Sequence, residues 1–573
     1  MDIKMLRLTA AESILKSFET LNQSHDLIAA ELADMFEYPP DPSMGDLALP
    51  CFRLSKALRR SPVQIAQTAA AGFSCEYIRK AEAVNGYLNL YISNDFYLDG
   101  ILSGILAQGD SYGSSNVGNG KNVVLDYSSP NVCKPFHIGH LGTTVIGHSL
   151  KKLFEFSGYN CIGVNHLGDW GTQFGKQIVA YRRWGNKEEV EAKGVDGLVE
   201  LYVRFHNEAE KHPELEEEAR VEFTKLEHGD PANLALWKWF IEISIADYKK
   251  TYRQLGIEFD SYCGESFYFD KAGSIVDELR EKGLLKIDNG ASIVDLEEYG
   301  MPPCMILKSD GSTIYAVRDI AAAKYRKDTY DFSKCVYITS SQQCLHFSQV
   351  FKVVELMGYK WAADLVHVPY GTVSINGARL ATRTGNVILL RDLFDTAIEK
   401  VQEIMAEKNP DLENSAEVAE AVGVGAIVFH YLYNNRIKDI NFIMEDALSF
   451  DGNTGPYAQY THARACSILE RGGYCGADSK IGDVYAGESE MALIKTLSAF
   501  SDKVSDALSA YEPSVITRYI IDICSAFNRF YQDCPILSSE RNVRELRLRL
   551  TKAAEITLRN ALSLICMKAP EKI

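Results

Sequence analysis

The sequence predicts an α/β protein with a doubly wound parallel-sheet domain, an α+β domain before it and an all-helical bundle after it. Three observations predict this. Apolar runs of strand length alternate with helical patterns through the middle of the chain, a Gly/Ser/Asn-rich stretch precedes them at 107–122, and long helical patterns follow from about residue 412. At 573 residues the chain is also too long for a single core.

The pattern predicts three domains. An N-terminal α+β domain covers 1–115 and includes the alternating stretch "GYLNLYIS". A domain of Rossmann type with a doubly wound parallel sheet covers 116–410, with an acidic helical insertion at about 187–257. A helical domain covers 411–573. The strands expected in the 116–410 domain are "NVVLDYSS", "YNCIGVNHLG", "CMILK", "CVYITS" and "LVHVPYGTVS".

Composition narrows the possible settings. We see no signal-peptide pattern and no run near the roughly 18 apolar residues of a membrane span, so we expect no membrane partner. The 13 cysteines form no CxxC pair, which favours reduced thiols in the cytoplasm and no structural zinc or other metal site. The net charge of -17 does not exclude a nucleic acid, because phosphate binding depends on local basic surface.

The stretch "DYSSPNVCKPFHIGHLGTTVIGHSL" (126–150) carries the clearest chemistry. It leads from an apolar strand through a loop into a helix, and His137 and His140 stand at the first turn of that helix. A helix N-terminus after a parallel strand attracts anions, and two imidazoles three residues apart share a face there. Nucleotide phosphates would suit this site, although a histidine pair that only caps or packs a helix start is the alternative.

Several motifs in a fixed order identify a resemblance. The 126–150 stretch is similar to the His-Ile-Gly-His signature of class I aminoacyl-tRNA synthetases, in the form found in arginyl-tRNA synthetases. The blocks "NHLGDWGTQFG", "SDGSTIYAVRDIAAA", "ITSSQQCLHFSQV" and "DGNTGPYAQYTHARA" agree with that family. The resemblance extends over the whole chain.

The resemblance implies the nucleotide site. His137 and His140 would bind the ATP phosphates and stabilise the α-phosphate, and Gly139 would let the nucleotide approach the backbone. The second class I signature, Lys-Met-Ser-Lys-Ser, corresponds here to "GARLATRTGNVILL" (377–390), which lacks the catalytic lysine. Thr382 and Arg383 would remain as its ATP contacts, with Arg383 in a catalytic role.

Lys134 is the candidate to supply the positive charge of the lysine that the second loop lacks. Some arginyl enzymes with a degenerate second loop resemble this chain in having a lysine just before the histidine motif. An ammonium there could neutralise pyrophosphate. The alternative is that Lys134 is merely solvated.

The resemblance also implies an arginine pocket. A guanidinium offers five donors in a planar fork and requires acidic partners. Tyr315 and Asp319 are four apart in a helix-like segment and would face one way. These two residues, together with Glu265 and Gln343, match family positions that line the pocket, and Asn131 matches one that holds the amino and carboxylate ends of the substrate. As alternatives, Tyr315 could be a core residue and Asp319 could pair with Arg318 or near Lys324.

The contacts with tRNA are less specific. The family uses the region of Tyr457, Tyr460 and Arg464 on the anticodon loop, where aromatic faces and cations would receive unstacked bases. In "FNRFYQDCPIL", Phe527 and Tyr531 repeat at helical spacing. In the N-terminal domain, which resembles the extension that touches the tRNA elbow, we expect Asn89 and Tyr91 to be exposed. Each of these aromatic stripes could equally be core.

The expected function is therefore ATP-dependent ligation of L-arginine to tRNA(Arg), with ATP and Mg2+ required, by a cytoplasmic monomer. A small-molecule nucleotidyltransferase shares the histidine loop but has no need for a helical bundle. A non-catalytic RNA-binding paralogue would be expected to lose the histidines or pocket acids, which this chain keeps. A different class I specificity is the weaker alternative.

Overall fold

The structure is a computed structural model that describes residues 3–19, 26–375, 378–379, 388–476 and 486–573. The backbone forms two compact units, each described by itself below. The first unit comprises Met1–Gly113, Thr461–Lys503 and Tyr519–Asn560. The second unit comprises Ser114–Tyr460, Val504–Arg518 and Ala561–Ile573.

Strands are short and spread along the first three quarters of the chain. In chain order they are β1 Leu47–Pro50, β2 Ile78–Val84, β3 Tyr87–Ile92, β4 Asn122–Asp126, β5 Asn160–Val164, β6 Leu285–Asp288, β7 Ala291–Val294, β8 Cys304–Leu307, β9 Lys334–Ser340, β10 Leu365–Tyr370, β11 Val373–Ile375, β12 Ala378–Arg379 and β13 Ile440–Phe442.

Helices make up most of the remaining chain. In the first 260 residues they are α1 Ile3–Glu19, α2 Ala29–Ala33, α3 Ser55–Leu58, α4 Pro62–Ala71, α5 Ser103–Gln108, α6 Leu141–Phe156, α7 Gln173–Trp184, α8 Lys187–Lys193, α9 Val195–Ala209, α10 Glu214–Glu227 and α11 Pro231–Leu255. Further along they are α12 Glu265–Phe269, α13 Ala272–Glu281, α14 Tyr315–Tyr330, α15 Cys344–Leu356, α16 Leu390–Lys408, α17 Ser415–Tyr433, α18 Met444–Ala447, α19 Gly455–Gly472, α20 Glu488–Ser498, α21 Phe500–Ala510, α22 Ser514–Asp533 and α23 Arg541–Leu564.

A parallel sheet of order β10-β9-β4-β5 forms the centre of the second unit, so the predicted doubly wound fold is confirmed. Val124 of β4 is in register with Ile162 of β5 and with Cys335 of β9. The run of three apolar residues in β4, 123–125, is fully buried because both faces of a central parallel strand are covered.

The sheet also fixes where a site can form. From β4 the chain passes through α6 to β5 on one side, whereas β9 and β10, joined by α15, lie on the other. The strand order therefore reverses between β4 and β9. Ligands of open α/β sheets bind beyond the carboxyl ends of the strands at such a reversal, and the loop after β4 carries both histidines.

One predicted strand, and the end of another, were wrongly placed in this sheet. "CMILK" forms β8, which pairs antiparallel with β7 in a separate sheet of order β6-β7-β8. "LVHVPYGTVS" divides at Gly371 into β10 and β11, and β11 pairs with β12 and β13 instead. A side chain at Gly371 would lie 2.4 Å from the carbonyl oxygen of Lys438, so only glycine fits where the chain leaves the parallel sheet.

The acidic stretch at 187–257 is helical. Its Leu198, Phe205 and Phe240 belong to an apolar core that also includes residues of α7 and of the loop after β4. Its last helix, α11, is the longest described. Asp230 caps the first turn by accepting from two backbone N–H groups, and Gly256 ends the helix in the left-handed region. Helix α11 contacts the loop after β4 through side-chain hydrogen bonds.

The first unit contains an antiparallel sheet of order β1-β3-β2 with helices α1 to α5, and helices from the C-terminal part of the chain. The described residues from 455 onward are helical apart from turns and loops, and the predicted C-terminal helical domain is confirmed. The short strand β13 nevertheless lies inside the stretch predicted to be all helical, because it pairs with β11 of the second unit.

Among the described residues one helix, α17, has the length and apolar composition that could cross a membrane. Of its most apolar window, 67% is buried inside the protein, as in the core helix of a globular domain. This is weak evidence for a span.

Candidate active site

The signature loop, residues 127–140, leaves β4 with an unusual backbone. Ser128, Ser129 and Cys133 all have left-handed φ values, of 71°, 47° and 62°. Such conformations cost about 1–3 kcal/mol each for residues other than glycine, so surrounding contacts must hold them.

An ion pair at the end of β4 provides one such contact. Asp126 binds the Arg326 guanidinium at 2.7 Å and accepts from the Ser129 hydroxyl at 3.0 Å. Arg326 is 1% exposed and also lies 3.3 Å from the Nδ1 atom of His166. The ion pair thus fixes the first turn of the signature loop from inside the domain.

The two histidines have the same hydrogen-bond pattern. The backbone N–H of Gly139 donates to Nδ1 of His137 at 3.1 Å, and the N–H of His137 donates to Nδ1 of His140 at 3.2 Å. The ring centroids lie 3.9 Å apart, and His140 stacks on Phe136. Because each Nδ1 accepts a hydrogen bond, a neutral ring must carry its proton on Nε2.

Burial keeps both rings neutral. It lowers the pKa of His137 to about 4, with a further contribution from the Lys134 charge. Burial, His137 and Lys134 together lower the pKa of His140 to about 3. Near neutral pH the pair therefore offers two Nε2–H donors but no positive charge.

Lys134 is exposed and its charge acts on both imidazole rings. Its backbone carbonyl accepts from the Tyr248 hydroxyl at 2.7 Å. A cation therefore stands beside the neutral histidine pair.

Asn131 is exposed at the other end of the same turn and packs against Gly168. A Cβ at position 168 would lie 2.1 Å from Oδ1 of Asn131. The N–H of Val132 donates to the Gly168 carbonyl and that of Gly168 to the Pro130 carbonyl, both at 3.1 Å. Gly168, the first glycine of "NHLGDWG", thus leaves room for the Asn131 amide.

The second loop, by contrast, is only partly described. Thr382 and Arg383 lie outside the described residues. The chain just after them pairs with the signature loop: Ile138 donates to the Ile388 carbonyl at 3.2 Å, and Leu390 donates to the Phe136 carbonyl at 2.9 Å. The two loops are therefore joined by backbone hydrogen bonds.

The predicted arginine pocket brings Tyr315 and Asp319 together through a residue that sequence reasoning missed. Nε2 of His346 lies 2.6 Å from Oδ2 of Asp319, and the Tyr315 ring meets the His346 ring edge-on at 4.9 Å. Tyr315 is 59% exposed, so it is not a core residue. His346 stands three residues after Gln343 in the block "ITSSQQCLHFSQV", which was the available signal.

A second acid in this region has its own partner. Glu265 binds Arg318 at 3.2 Å, so Arg318 pairs with Glu265 rather than with Asp319. Burial raises the pKa of Glu265, which Arg318 offsets in part while Asp319 adds to it. The two acids therefore share one electrostatic environment. Gln343 is exposed in the turn before α15.

Comparisons with known proteins match this arrangement. A family model for the catalytic domain of class I tRNA synthetases (R) matches residues 101–444, more than half of the chain. A curated arginine–tRNA ligase of Alkaliphilus metalliredigens is 51% identical, over 95% of this chain and 96% of its own length. The chain belongs to the arginyl-tRNA synthetases.

Other matches agree with this family. An arginine–tRNA ligase of Clostridium perfringens is 47% identical over 97% of this chain and 99% of its own length. The arginyl-tRNA synthetase structure of Thermus thermophilus has a TM-score of 0.83 and 25% identity, and covers 99% of this chain and 100% of its own. Models for the N-terminal domain of arginyl-tRNA synthetases and the DALR anticodon-binding domain match 10–92 and 458–573.

The predicted family and enzyme class, aminoacyl-tRNA ligation with arginine, are thus confirmed. As class I synthetases, arginyl-tRNA synthetases use ATP, so that part of the cofactor prediction is confirmed as well. The individual site residues stay predictions.

The positions predicted to contact tRNA differ in exposure. Tyr460 and Tyr531 are 41% and 44% exposed, and Tyr457 is half-buried. Arg464 stacks over the Tyr531 ring at 5.5 Å and donates to Asn528 at 2.7 Å. An exposed ring with a guanidinium against it suits a stacked base.

The expected exposure of Asn89 was wrong, and for Phe527 the core alternative holds. Asn89 is only 5% exposed, because β3 is the central strand of its sheet and α4 packs beside it. Phe527, 1% exposed, belongs to the core of the helical bundle. Tyr91 is half-buried, and the charged groups of Arg79 and Lys80 lie over its ring, 5.9 Å and 4.9 Å from the ring centroid.

One buried group in the first unit brings three metal-ligand types together. Atoms of His462, Cys466 and Glu555 lie within 4.8 Å of one another. Glu555 already binds Lys552 at 2.6 Å and Arg559 at 3.2 Å. Although burial alone would raise it, the hydrogen bonds from His462 and Lys552 lower the pKa of Glu555 to about 2. Two cations on the carboxylate disfavour a metal ion there.

Proposed function

We propose that the signature loop activates arginine with ATP by supplying neutral donors from its histidines and a positive charge from Lys134. An arginine carboxylate oxygen attacks the α-phosphorus, the bond to the β-phosphate oxygen breaks, and pyrophosphate leaves. A hydroxyl of the terminal tRNA adenosine, the 2′ one in class I, then attacks the carbonyl carbon and AMP leaves. No side-chain nucleophile takes part, so catalysis depends on position and charge.

The neutrality of the histidines carries this proposal. With Nδ1 engaged and the pKa values at about 4 and 3, His137 and His140 can donate from Nε2 but cannot balance phosphate charge. A cation must come from elsewhere, and Lys134 is near enough to influence both rings. Arg383 of the second loop is the other candidate. Gly139 would let the nucleotide lie against the backbone, with Thr382 as a further contact.

We propose that the side chains around His346 form the arginine pocket. Asp319 and Glu265 would bind the guanidinium, Tyr315 would cover it, and Gln343 would line the entrance. Asn131 would hold the amino and carboxylate ends. An acidic pocket of this kind favours a guanidinium over a neutral isostere, because only the guanidinium brings charged donors to the carboxylates.

The remaining parts of the proposal concern partners and setting. Mg2+ would arrive on the ATP phosphates, whose oxygens it prefers as ligands. Residues 1–115 would contact tRNA, 116–410 would carry the chemistry and 411–573 would bind the anticodon through Tyr457, Tyr460, Arg464 and Tyr531. The protein would work as a cytoplasmic monomer.

ATP–pyrophosphate exchange with each of the twenty amino acids, with and without total tRNA, tests the proposal. Exchange with arginine and with no other amino acid is the expected result. Exchange with another amino acid would overturn the pocket assignment. No exchange under any condition would favour a non-catalytic paralogue.

Lys134→Ala tests the charge assignment. We expect kcat of exchange to fall by at least 100-fold, with less than a threefold change in the KM for arginine. Lys286→Ala, which removes a surface lysine of the β6-β7 hairpin, is the control and should change neither. An exchange rate near that of the unsubstituted protein would exclude Lys134 from catalysis.

A further inference from the structure

One face of α11 meets the signature loop at three hydroxyl groups. Ser244, Tyr248 and Tyr252 are spaced four residues apart, so they lie along one side of the helix. All three are buried, at 0%, 1% and 1% exposure. We call these residues the hydroxyl face of α11.

Each member of the hydroxyl face binds a different point of the loop. Oγ of Ser244 accepts from the Cys133 N–H at 3.1 Å. The hydroxyl of Tyr252 lies 2.7 Å from that of Ser128. The two outer contacts therefore hold residues with left-handed backbone conformations, 128 and 133, which the loop could not maintain unaided.

The central member, Tyr248, bridges the turn between the two predicted substrate contacts. Its hydroxyl reaches the carbonyl of Asn131 at 2.8 Å and that of Lys134 at 2.7 Å. One O–H group thus fixes the distance between the backbone that carries the predicted amino-acid ligand and the backbone that carries the predicted phosphate cation. Its ring packs against Phe136 at 5.5 Å.

The hydrogen bonds continue beyond the loop. Tyr252 accepts from the Asn165 amide at 2.9 Å, and Asn165 in turn accepts from the Ser129 N–H at 3.1 Å. The Thr144 hydroxyl of α6 donates to Ser128 at 2.9 Å. The hydroxyl face therefore ties the loop to the end of β5 and to the helix that begins at the histidine motif.

We infer that the hydroxyl face of α11 is a positioning element for arginine activation, with Tyr248 as its central residue. It touches neither reacting atom and acts by setting the backbone at 131 and 134. The inference rests on the proposed roles of Asn131 and Lys134. It assigns to the helical insertion a part in the chemistry in addition to its own packing.

Tyr248→Phe tests this, because it removes the hydroxyl and keeps the ring. We expect kcat of arginine-dependent ATP–pyrophosphate exchange, at saturating tRNA, to fall at least tenfold and the KM for arginine to rise at least threefold. Tyr519→Phe is the matched control. Tyr519 is also buried and donates to two carbonyls, those of Thr496 and Leu497, but lies in the first unit.

The control separates position from stability. Both variants should lower the Tm to a similar extent, and only Tyr248→Phe should lower kcat. An equal loss of kcat in both, or none in Tyr248→Phe, would overturn the inference. If Tyr248→Phe does not fold, Ser244→Ala removes the Cys133 contact instead and should give the same pattern with a smaller loss.

A double-variant cycle tests the route of the effect. With Lys134→Ala already in place, Tyr248→Phe should no longer lower kcat by more than threefold, while its effect on the KM for arginine should persist through Asn131. A tenfold loss of kcat in both backgrounds would overturn the positioning of Lys134. Failure of the proposed role of Lys134 would be seen separately, because Lys134→Ala alone would then leave kcat unchanged. In that case the effect of Tyr248→Phe on the KM for arginine would still test the positioning of Asn131.

Discussion

Ile138 donates its backbone N–H to the carbonyl oxygen of Ile388 at 3.2 Å. Ile138 lies between the two histidines, and Ile388 lies near the end of the second signature loop, 377–390. The reciprocal bond, from Leu390 to Phe136 at 2.9 Å, makes a short antiparallel bridge centred on His137 and Leu389. Two backbone hydrogen bonds therefore join the two loops that bind ATP in class I enzymes.

Leu390→Pro should weaken the link between the loops, because it removes one of its two hydrogen bonds. Leu390 is the first residue of α16, where proline fits a helix, and Leu389 has the extended backbone that a following proline requires. Leu390→Ala is the control, because it loses the same buried side chain but keeps the N–H. Both should cost about 2–4 kcal/mol of stability. Only the proline variant should also lower kcat of exchange, and equal kcat in the two variants would show that the bridge has no part in catalysis.

Gly168→Ala should affect arginine binding more than turnover. The added Cβ would stand 2.1 Å from Oδ1 of Asn131 and force that amide to turn away. The KM for arginine should rise at least fivefold while the KM for ATP changes little. Gly273→Ala, in a helix where a Cβ meets nothing within 4 Å, is the control and should leave both constants unchanged. An unchanged KM for arginine in Gly168→Ala would mean that Asn131 does not bind it.

His346→Ala should weaken arginine binding by releasing Asp319. The 2.6 Å contact fixes the carboxylate that is proposed to receive the guanidinium. We expect the KM for arginine to rise about tenfold, roughly the 1.4 kcal/mol of one charge-assisted hydrogen bond. His346→Gln can still donate to a carboxylate and should restore part of the loss. If glutamine were no better than alanine, the contact would not be what orients Asp319.

The elements that carry strong local patterns could be predicted from the sequence. The buried runs in β4 and β9 and the loop after β4 follow from apolar periodicity and from the histidine motif. Which strands pair with one another could not be predicted from these local patterns. The pattern of "CMILK" predicts a strand but not that β7 is its neighbour, and Asn89 alternates like a surface residue although it lies in a central strand.

The partners of charged residues were likewise beyond the sequence. Asp319 binds His346 rather than Arg318, and Arg318 binds Glu265, because the fold brings α12, α14 and α15 together. Ser244, Tyr248 and Tyr252 form a stripe at helical spacing, which by itself predicts nothing about its partner. That the stripe faces the signature loop required the structure, since more than 100 residues separate Tyr248 from Asn131.

The free energy of unfolding should depend on pH because of the buried histidines. His148 allows a test of this effect, since it is not one of the predicted site residues. His148 of α6 is 4% exposed, and burial, with Lys152 and Lys151, lowers its pKa to about 3. Below the ordinary value of about 6.5 the unfolded chain binds a proton there that the folded chain does not. Stability is therefore complete above pH 6.5 and is lost as the pH falls toward 3, by up to about 1.4 kcal/mol per pH unit.

His148→Gln removes this contribution and keeps a polar side chain beside the Tyr127 hydroxyl, which lies 3.2 Å from Nδ1 of His148. At pH 7.5 the variant should have the lower Tm, because it loses a fitted buried ring. As the pH is lowered from 6.5 to 4.5, the Tm of the unsubstituted protein should fall more steeply than that of the variant, so the two curves converge. Parallel curves across that interval, measured by thermal unfolding in buffers of equal ionic strength, would show that His148 titrates alike in the folded and unfolded chains.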